Sequence, residues 1–321
     1  MTTPEWLTPY LARLAVADPG APSLEALSAL QRAHVERITY ENLDIQLGRP
    51  QGIEPAKSIR RILAGRGGYC FNLNGAFATL LTALGYDVTW HRGEVHGGGD
   101  PAPRPEQYGN HLALTVDLDG ERWMVDAGLG NAHHDPIRLA VGEHPQGRFT
   151  FGLERLAAPD ADTSTTDPAP EGWRFIQDST FGTASFACMD FTLAPAQWTD
   201  FLDRHAQLST SPDSTFVKAV MLFRRDALGV DGLLGCVLHR IEGPEAHSRR
   251  ELTSSGEWFE AVTDLFGLDL TALSAEDRER LWTRVRTVHE ERLAAEAAAS
   301  PAPDDADALP VSASGDLPVE H

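Results

Sequence analysis

The chain has 321 residues, 42% of them hydrophobic and 23% charged, with 27 basic against 47 acidic side chains for a formal charge of −20. That length covers about two ordinary domains, and the composition excludes collagen-like and wholly disordered classes. The negative charge argues against sequence-independent nucleic-acid binding, because a polyphosphate backbone would be repelled.

The N-terminal stretch MTTPEWLTPY has no basic segment followed by an apolar one, and no run approaches the ~20 apolar residues of a membrane span. A cytoplasmic protein with no membrane partner is expected. The first ninety residues read as helices. Leu24, Leu27, Leu30, His34, Val35 and Ile38 recur near a 3.6 period behind Ser23 as N-cap, and a second helix over Ala56–Ala64 stops at Gly65. A third begins near Cys70, carries Leu73, Phe77, Leu80, Leu81 and Leu84 as one stripe, and ends at Gly85.

From Tyr86 the period shifts toward two, predicting strands over Tyr86–Val95, His111–Leu118, Arg122–Ala127, Trp173–Gln177 and Phe186–Leu193. Loops are expected at Gly97–Gln107 and Ala157–Gly172. A helix near Trp198–His205, strands over Val217–Phe223 and Leu233–Ile241, and a helix introduced by Ser254 with Glu257 three residues on then suggest a third unit. A final helix follows Ser274, placing Leu281, Trp282, Val285 and Val288 on one face. From Glu291 to the C-terminus there are seven acidic residues and one basic, and the end of the chain reads as a disordered acidic tail. The expected division is 1–90 helical, 91–205 β, 206–298 mixed and 299–321 tail.

Three cysteines, Cys70, Cys188 and Cys236, are far apart and form no CxxC pair, so any chemically active one acts alone. Cys188 and Cys236 lie in strand-like segments and read as inert core residues. In RGGYCFNLN, Arg66 to Asn74, two glycines permit an unusual turn and Cys70 opens a helix. A thiol there feels the positive end of the helix dipole and free N–H groups, which favour its thiolate. A lone cysteine is more often a small buried hydrophobe, so a partner base is required.

HLALTVDLDGERWMVDAG, His111 to Gly128, supplies one. Asp119-Gly120 is a two-residue hairpin signal. If Leu118 faces Glu121, Ala113 faces Asp126, and His111 lies one same-face diagonal step from Asp126. Leu112, Leu114, Val116, Leu118, Trp123 and Val125 then form the apolar face, leaving the face with His111 and Asp126 the more polar. A carboxylate on one imidazole nitrogen leaves the other to take a thiol proton, so Cys70, His111 and Asp126 form a catalytic triad by this reading.

Two other signals read as non-functional. Gly97-Gly98-Gly99 lacks the lysine of a phosphate loop, and His133-His134-Asp135 are adjacent residues that rarely hold one ion, so no metal is expected.

On these motifs the sequence resembles the arylamine N-acetyltransferase family, with its hallmark RGGxCxExN, a histidine on one strand and a VDVGFG-like segment. These read here as RGGYCFNLN, GNHLAL and VDAGLG, joined by ITYENLDIQLGRP (Ile38 to Pro50) and STSPDSTFVKAV (Ser209 to Val220). The resemblance covers roughly residues 5 to 270. It implies an α+β fold of N-terminal helical bundle, central antiparallel β-barrel and C-terminal α/β lid, with a cysteine-protease-like triad core. It implies acetyl-CoA as co-substrate and ping-pong transfer through Cys70 to an arylamine, hydrazine or arylhydroxylamine. An amide synthase of the same superfamily, closing a macrolactam from a polyketide on a carrier protein, is the first alternative; a non-catalytic acyl-CoA or ligand-binding relative is the second. Asn72 stands where the family usually has Glu, and Tyr40 and Leu129 replace usual aromatics at expected substrate-binding positions. With the triad retained, these departures point to altered acceptor specificity.

Overall fold

The computed structural model describes residues 3–97, 105–156, 171–184 and 186–299. The acidic end beyond 299, Gly98-Gly99 and most of the two expected loops lie outside the described residues.

The helical part comprises α1 (Leu7–Arg13), α2 (Leu24–Arg37), the two-residue strand β1 (Tyr40–Glu41), α3 (Leu43–Gln46), α4 (Pro55–Leu63) and α5 (Cys70–Ala83). Ser23 caps α2 by accepting a hydrogen bond from the Ala26 N–H at 3.2 Å. Pro55 occupies the first turn of α4, where its missing N–H costs nothing. The expected apolar stripe of α5 is only part of its buried surface, since every residue from Cys70 to Ala78 is buried. The helix is sheathed by its neighbours on all sides of its first two turns.

An eight-stranded antiparallel sheet follows: β2 (Asp87–His96), β3 (His111–Leu118), β4 (Glu121–Val125), β5 (Ile137–Arg138), β6 (Gly142–Gln146), β7 (Phe149–Leu156), β8 (Gly172–Ile176) and β9 (Cys188–Thr192). Its order, β5-β4-β3-β2-β9-β8-β7-β6, curls into a nearly closed barrel. β5, β6 and β7 are additions to the strands read from the sequence. The β3–β4 hairpin has the expected register, Leu118 opposite Glu121 and Leu114 opposite Val125. Asp119 and Gly120 both take positive φ, 52° and 79°, as a type I′ turn requires.

One expectation for this hairpin fails. Leu112, Leu114, Val116 and Val125 pack on the helices as foreseen, but the opposite face is no more polar. Ala113 and Met124 enter the barrel core with Phe149, Phe151, Trp173, Phe175, Met189 and Phe191. Curling the sheet into a barrel buries both faces, a tertiary effect that a period of two does not encode.

The remainder holds α6 (Leu202–Thr210), α7 (Thr215–Lys218), β10 (Met221–Arg225), β11 (Val230–Leu234), β12 (Val237–Ile241), β13 (His247–Glu251), α8 (Ser255–Glu260) and α9 (Ala275–Ala299). The helix read from Trp198 begins as a 3-10 turn and runs on as α6. Val217–Phe223 is not one strand: its first half closes the α7 turn, and pairing starts at Met221. Leu233–Ile241 is a hairpin rather than a strand, reversing at Gly235, whose φ is +59°. Cys236 therefore lies in a turn, fully buried, while Cys188 at the start of β9 is only partly buried. The Ser254 and Glu257 capping box is present.

β10 to β13 form a second antiparallel sheet, whose opposite edge is β1. Tyr40 pairs with Phe223 and Glu41 with Leu222. The short segment between α2 and α3 is thus a strand of the C-terminal sheet, whose core of Leu222, Leu233, Trp258, Val262, Phe266 and Leu281 also takes in Leu43.

Candidate active site

The turn before Cys70 is held by a buried charge cluster. Glu41 is paired with Arg61 and Arg66, the latter at 3.1 Å, and Arg61 also pairs with Asp44. Burial alone would raise the Glu41 pKa, but the two guanidinium groups outweigh it and hold the carboxyl at about 2. The Glu41 N–H donates to the Gly68 carbonyl at 2.9 Å, and Arg61 Nε donates to the Gly67 carbonyl at 2.5 Å. A β-carbon on Gly67 would lie 1.8 Å from the Thr39 carbonyl oxygen, so only glycine lets the two chain segments approach this closely.

Cys70 is therefore delivered as the first residue of a 14-residue helix. It is 3% exposed, and its Sγ lies 3.6 Å from the Asn110 carbonyl. The next residue, His111, is the first of β3 and lies within hydrogen-bonding reach of Cys70. His111 Nε2 is 2.7 Å from Asp126 Oδ2, leaving Nδ1 as the nitrogen for the thiol. Asp126 Oδ1 accepts from the Gly128 N–H at 2.7 Å, fixing the carboxylate plane.

Both members of the pair are deeply buried. Burial would push the imidazole pKa down, but the Asp126 carboxylate and, secondarily, Cys70 raise it to about 10. Burial would raise the Asp126 pKa, and His111 instead lowers it. An imidazole whose protonated form is favoured by a carboxylate in this way is able to stabilise a thiolate and to donate a proton to a leaving group.

Tyr40 and Leu129 lie at the wall of a cavity of about 610 Å³ whose lining is mainly apolar, including Val95, Phe216, Met221 and Phe223. The Tyr40 hydroxyl is pushed well above its ordinary pKa by burial and by Cys70 and Asp126, so it stays neutral beside them. Asn72 makes no ion pair; its Nδ2 donates to the Gly52 carbonyl and to Ser58 Oγ, both at 3.2 Å.

Sequence reasoning missed Gln31. It is fully buried on α2, its Oε1 accepts from the Asp126 N–H at 3.3 Å, and its Nε2 lies 3.0 Å from His133 Nδ1. Nothing in the helical period distinguishes a buried glutamine that meets a strand 95 residues away. His133 and His134 are occupied separately: His133 Nδ1 is 2.7 Å from the Asp135 carbonyl, and His134 Nε2 is 2.8 Å from Glu36. Among the described residues no group of three or more His, Cys, Asp or Glu is placed to hold a metal, and no helix is long and apolar enough to cross a membrane.

A family model described as N-acetyltransferase matches residues 23–275. The chain belongs to the arylamine N-acetyltransferase family. The family assignment makes it an acyltransferase. It is 30% identical to an arylamine N-acetyltransferase of Mycolicibacterium smegmatis over 84% of this chain and 94% of that one. It is 40% identical to the arylamine N-acetyltransferase / N-hydroxyarylamine O-acetyltransferase of Salmonella typhimurium over 154 residues, 46% of this chain and about half, 54%, of that one. Among solved structures, the Mycobacterium marinum arylamine N-acetyltransferase in complex with CoA superposes with a TM-score of 0.74 at 25% identity, covering 88% of this chain and 99% of that one. Another relative is the proansamycin X synthase of Amycolatopsis mediterranei, 29% identical over 60% of this chain and 69% of that one.

Proposed function

We propose that this family member moves an acetyl group from acetyl-CoA through a thioester on Cys70 to an arylamine, hydrazine or arylhydroxylamine, with His111 and Asp126 completing the catalytic triad. The observation that carries this reading is the placement of Cys70 at a helix N-terminus within reach of an imidazole held by a carboxylate at 2.7 Å. In the first half-reaction the Cys70 thiol proton resides on His111 and the sulfur attacks the thioester carbonyl. The C–S bond to CoA breaks, and the CoA sulfur takes the proton from His111. In the second, the acceptor nitrogen or oxygen attacks the acyl-cysteine, its proton passes to His111, and the Cys70 sulfur leaves.

The segment assignments follow the same reading: 1–90 carries the nucleophile, 91–205 carries the histidine and aspartate, and 206–298 covers the cavity in which Tyr40 and Leu129 contact substrate. CoA bound to the M. marinum relative supports acyl-CoA as donor. Three free cysteines suit a reducing cytoplasm.

The test is intact-protein mass spectrometry after incubation with acetyl-CoA. A single acetyl adduct is expected, absent in Cys70→Ala and discharged by adding a hydrazine. An adduct that persists in Cys70→Ala would overturn the reading, and slow alkylation of Cys70 with no adduct would favour a ligand-binding relative. A second reading, amide bond formation on a bulky carrier-protein-bound acyl chain, is favoured by the large apolar cavity and by the proansamycin X synthase relative. It predicts acylation of Cys70 by long apolar thioesters in preference to acetyl-CoA.

A further inference from the structure

Three segments have to meet to bring the reacting groups together: the start of α5 with Cys70, the start of β3 with His111, and the residue just after β4, Asp126. The β3–β4 ladder does not extend that far, because its last pair is Leu114 with Val125. Beyond it, the ends carrying His111 and Asp126 need another link.

Asn74 occupies that gap. It is fully buried and stands four residues after Cys70, one turn further along the same helix. Its Nδ2 donates to the Leu112 carbonyl at 2.7 Å, directly after His111, and its Oδ1 accepts from the Ala127 N–H at 2.7 Å, directly after Asp126. Its amide also helps to lower the Asp126 pKa. An amide carries a donor and an acceptor on one carbon, so a single side chain satisfies one carbonyl and one N–H that the ladder leaves unpaired. Leucine would offer neither group, and an ionised carboxylate only the acceptor.

We propose that Asn74 is a positioning residue for the acyl transfer, a clasp that indexes Cys70, His111 and Asp126 to one another through the peptide groups next to the last two. The inference rests on the triad proposed above. A misplacement of about 1 Å among such groups costs about 100-fold in rate, so the clasp acts on turnover more than on donor binding.

The test compares Asn74→Asp, Asn74→Ala and the unaltered chain across pH 5.5 to 8, at a temperature where circular dichroism shows all three folded. At pH 8 both variants are expected to lose about 100-fold in kcat, with KM for acetyl-CoA within about twofold. In Asn74→Asp the new carboxyl is buried beside Asp126, which raises its pKa; once protonated, its O–H again donates to Leu112 while its carbonyl accepts from Ala127. Lowering the pH to 5.5 should therefore restore Asn74→Asp by about tenfold relative to the unaltered chain and leave Asn74→Ala unrestored. A folded Asn74→Asp within about twofold of the unaltered kcat at pH 8, or equal pH dependence in the two variants, would overturn the proposal.

If the variants do not fold, hydrogen exchange in the unaltered chain decides. The Asn74 side-chain amide and the Ala127 N–H should exchange only through global opening, and fast exchange of either would refute the clasp. Failure of the triad itself is distinguishable, since Cys70→Ala would then retain turnover whatever the Asn74 variants do.

Discussion

Gly128 lies so close to Cys70 that a β-carbon on it would stand 2.8 Å from the Cys70 Cα and 3.0 Å from its carbonyl oxygen. The loop after Asp126 and the first residue of α5 are thus in backbone contact, and any side chain at 128 must push them apart. Gly128→Ala is expected to lower kcat/KM by about 100-fold, because the displacement falls between the thiol and the His111–Asp126 pair. Steady-state kinetics beside a thermal melt would show it, with a loss of activity much larger than the change in stability implies.

His111 should titrate near pH 10 rather than near 6.5, because the Asp126 carboxylate outweighs burial. NMR of labelled histidine should find it unchanged between pH 6 and 8. In Asp126→Asn the opposing charge is gone, burial dominates, and the pKa should drop below ~6.5. The raised imidazole pKa contributes stability that is fully present below ~6.5 and is lost as pH rises through about 10. The lowered Asp126 pKa contributes in the opposite sense and is lost at acid pH.

Glu41 governs acid sensitivity. Its folded pKa of about 2 lies below the unfolded value, so its contribution is present above ~4.3 and lost as pH falls toward 2. At neutral pH this amounts to about 3 kcal/mol. Glu41→Gln should cost about 3 kcal/mol at pH 7 by leaving Asp44 as the remaining carboxylate beside Arg61 and Arg66, and should flatten the decline between pH 5 and 3. Urea unfolding at several pH values measures both.

Leu129 is expected to set acceptor size. Leu129→Trp, which projects bulk into the cavity, should cut kcat/KM for a two-ring arylamine by about tenfold while sparing a small hydrazine. Leu129→Ala should cost about 2–3 kcal/mol of stability and shift preference toward the larger amine. Competition assays with paired acceptors read out both shifts, and equal effects on large and small acceptors would remove Leu129 from the specificity wall.

Much of the site was legible because its signals are local. The Asp119-Gly120 turn sets the hairpin parity, and parity alone puts His111 and Asp126 on one face. The paired glycines and the periodic run after Cys70 mark a helix start, and the Ser254 and Glu257 box marks another. The misreadings were equally physical. Gly235 ends a strand inside the continuous apolar run Leu233–Leu238, and periodicity does not detect a reversal made by one positive φ.

The sequence by itself indicated the order of helical, β and mixed segments and the placing of His111 and Asp126 on one hairpin face, because turn chemistry and periodicity act over a few residues, while the family was legible in its motifs. Only the tertiary structure decided that both faces of the hairpin are buried, that β1 belongs to the C-terminal sheet, and that Gln31 and Asn74 reach the backbone at Asp126 and Ala127. Those relations join residues tens to hundreds of positions apart, and they exist only once the sheet has curled and the helices have packed against it.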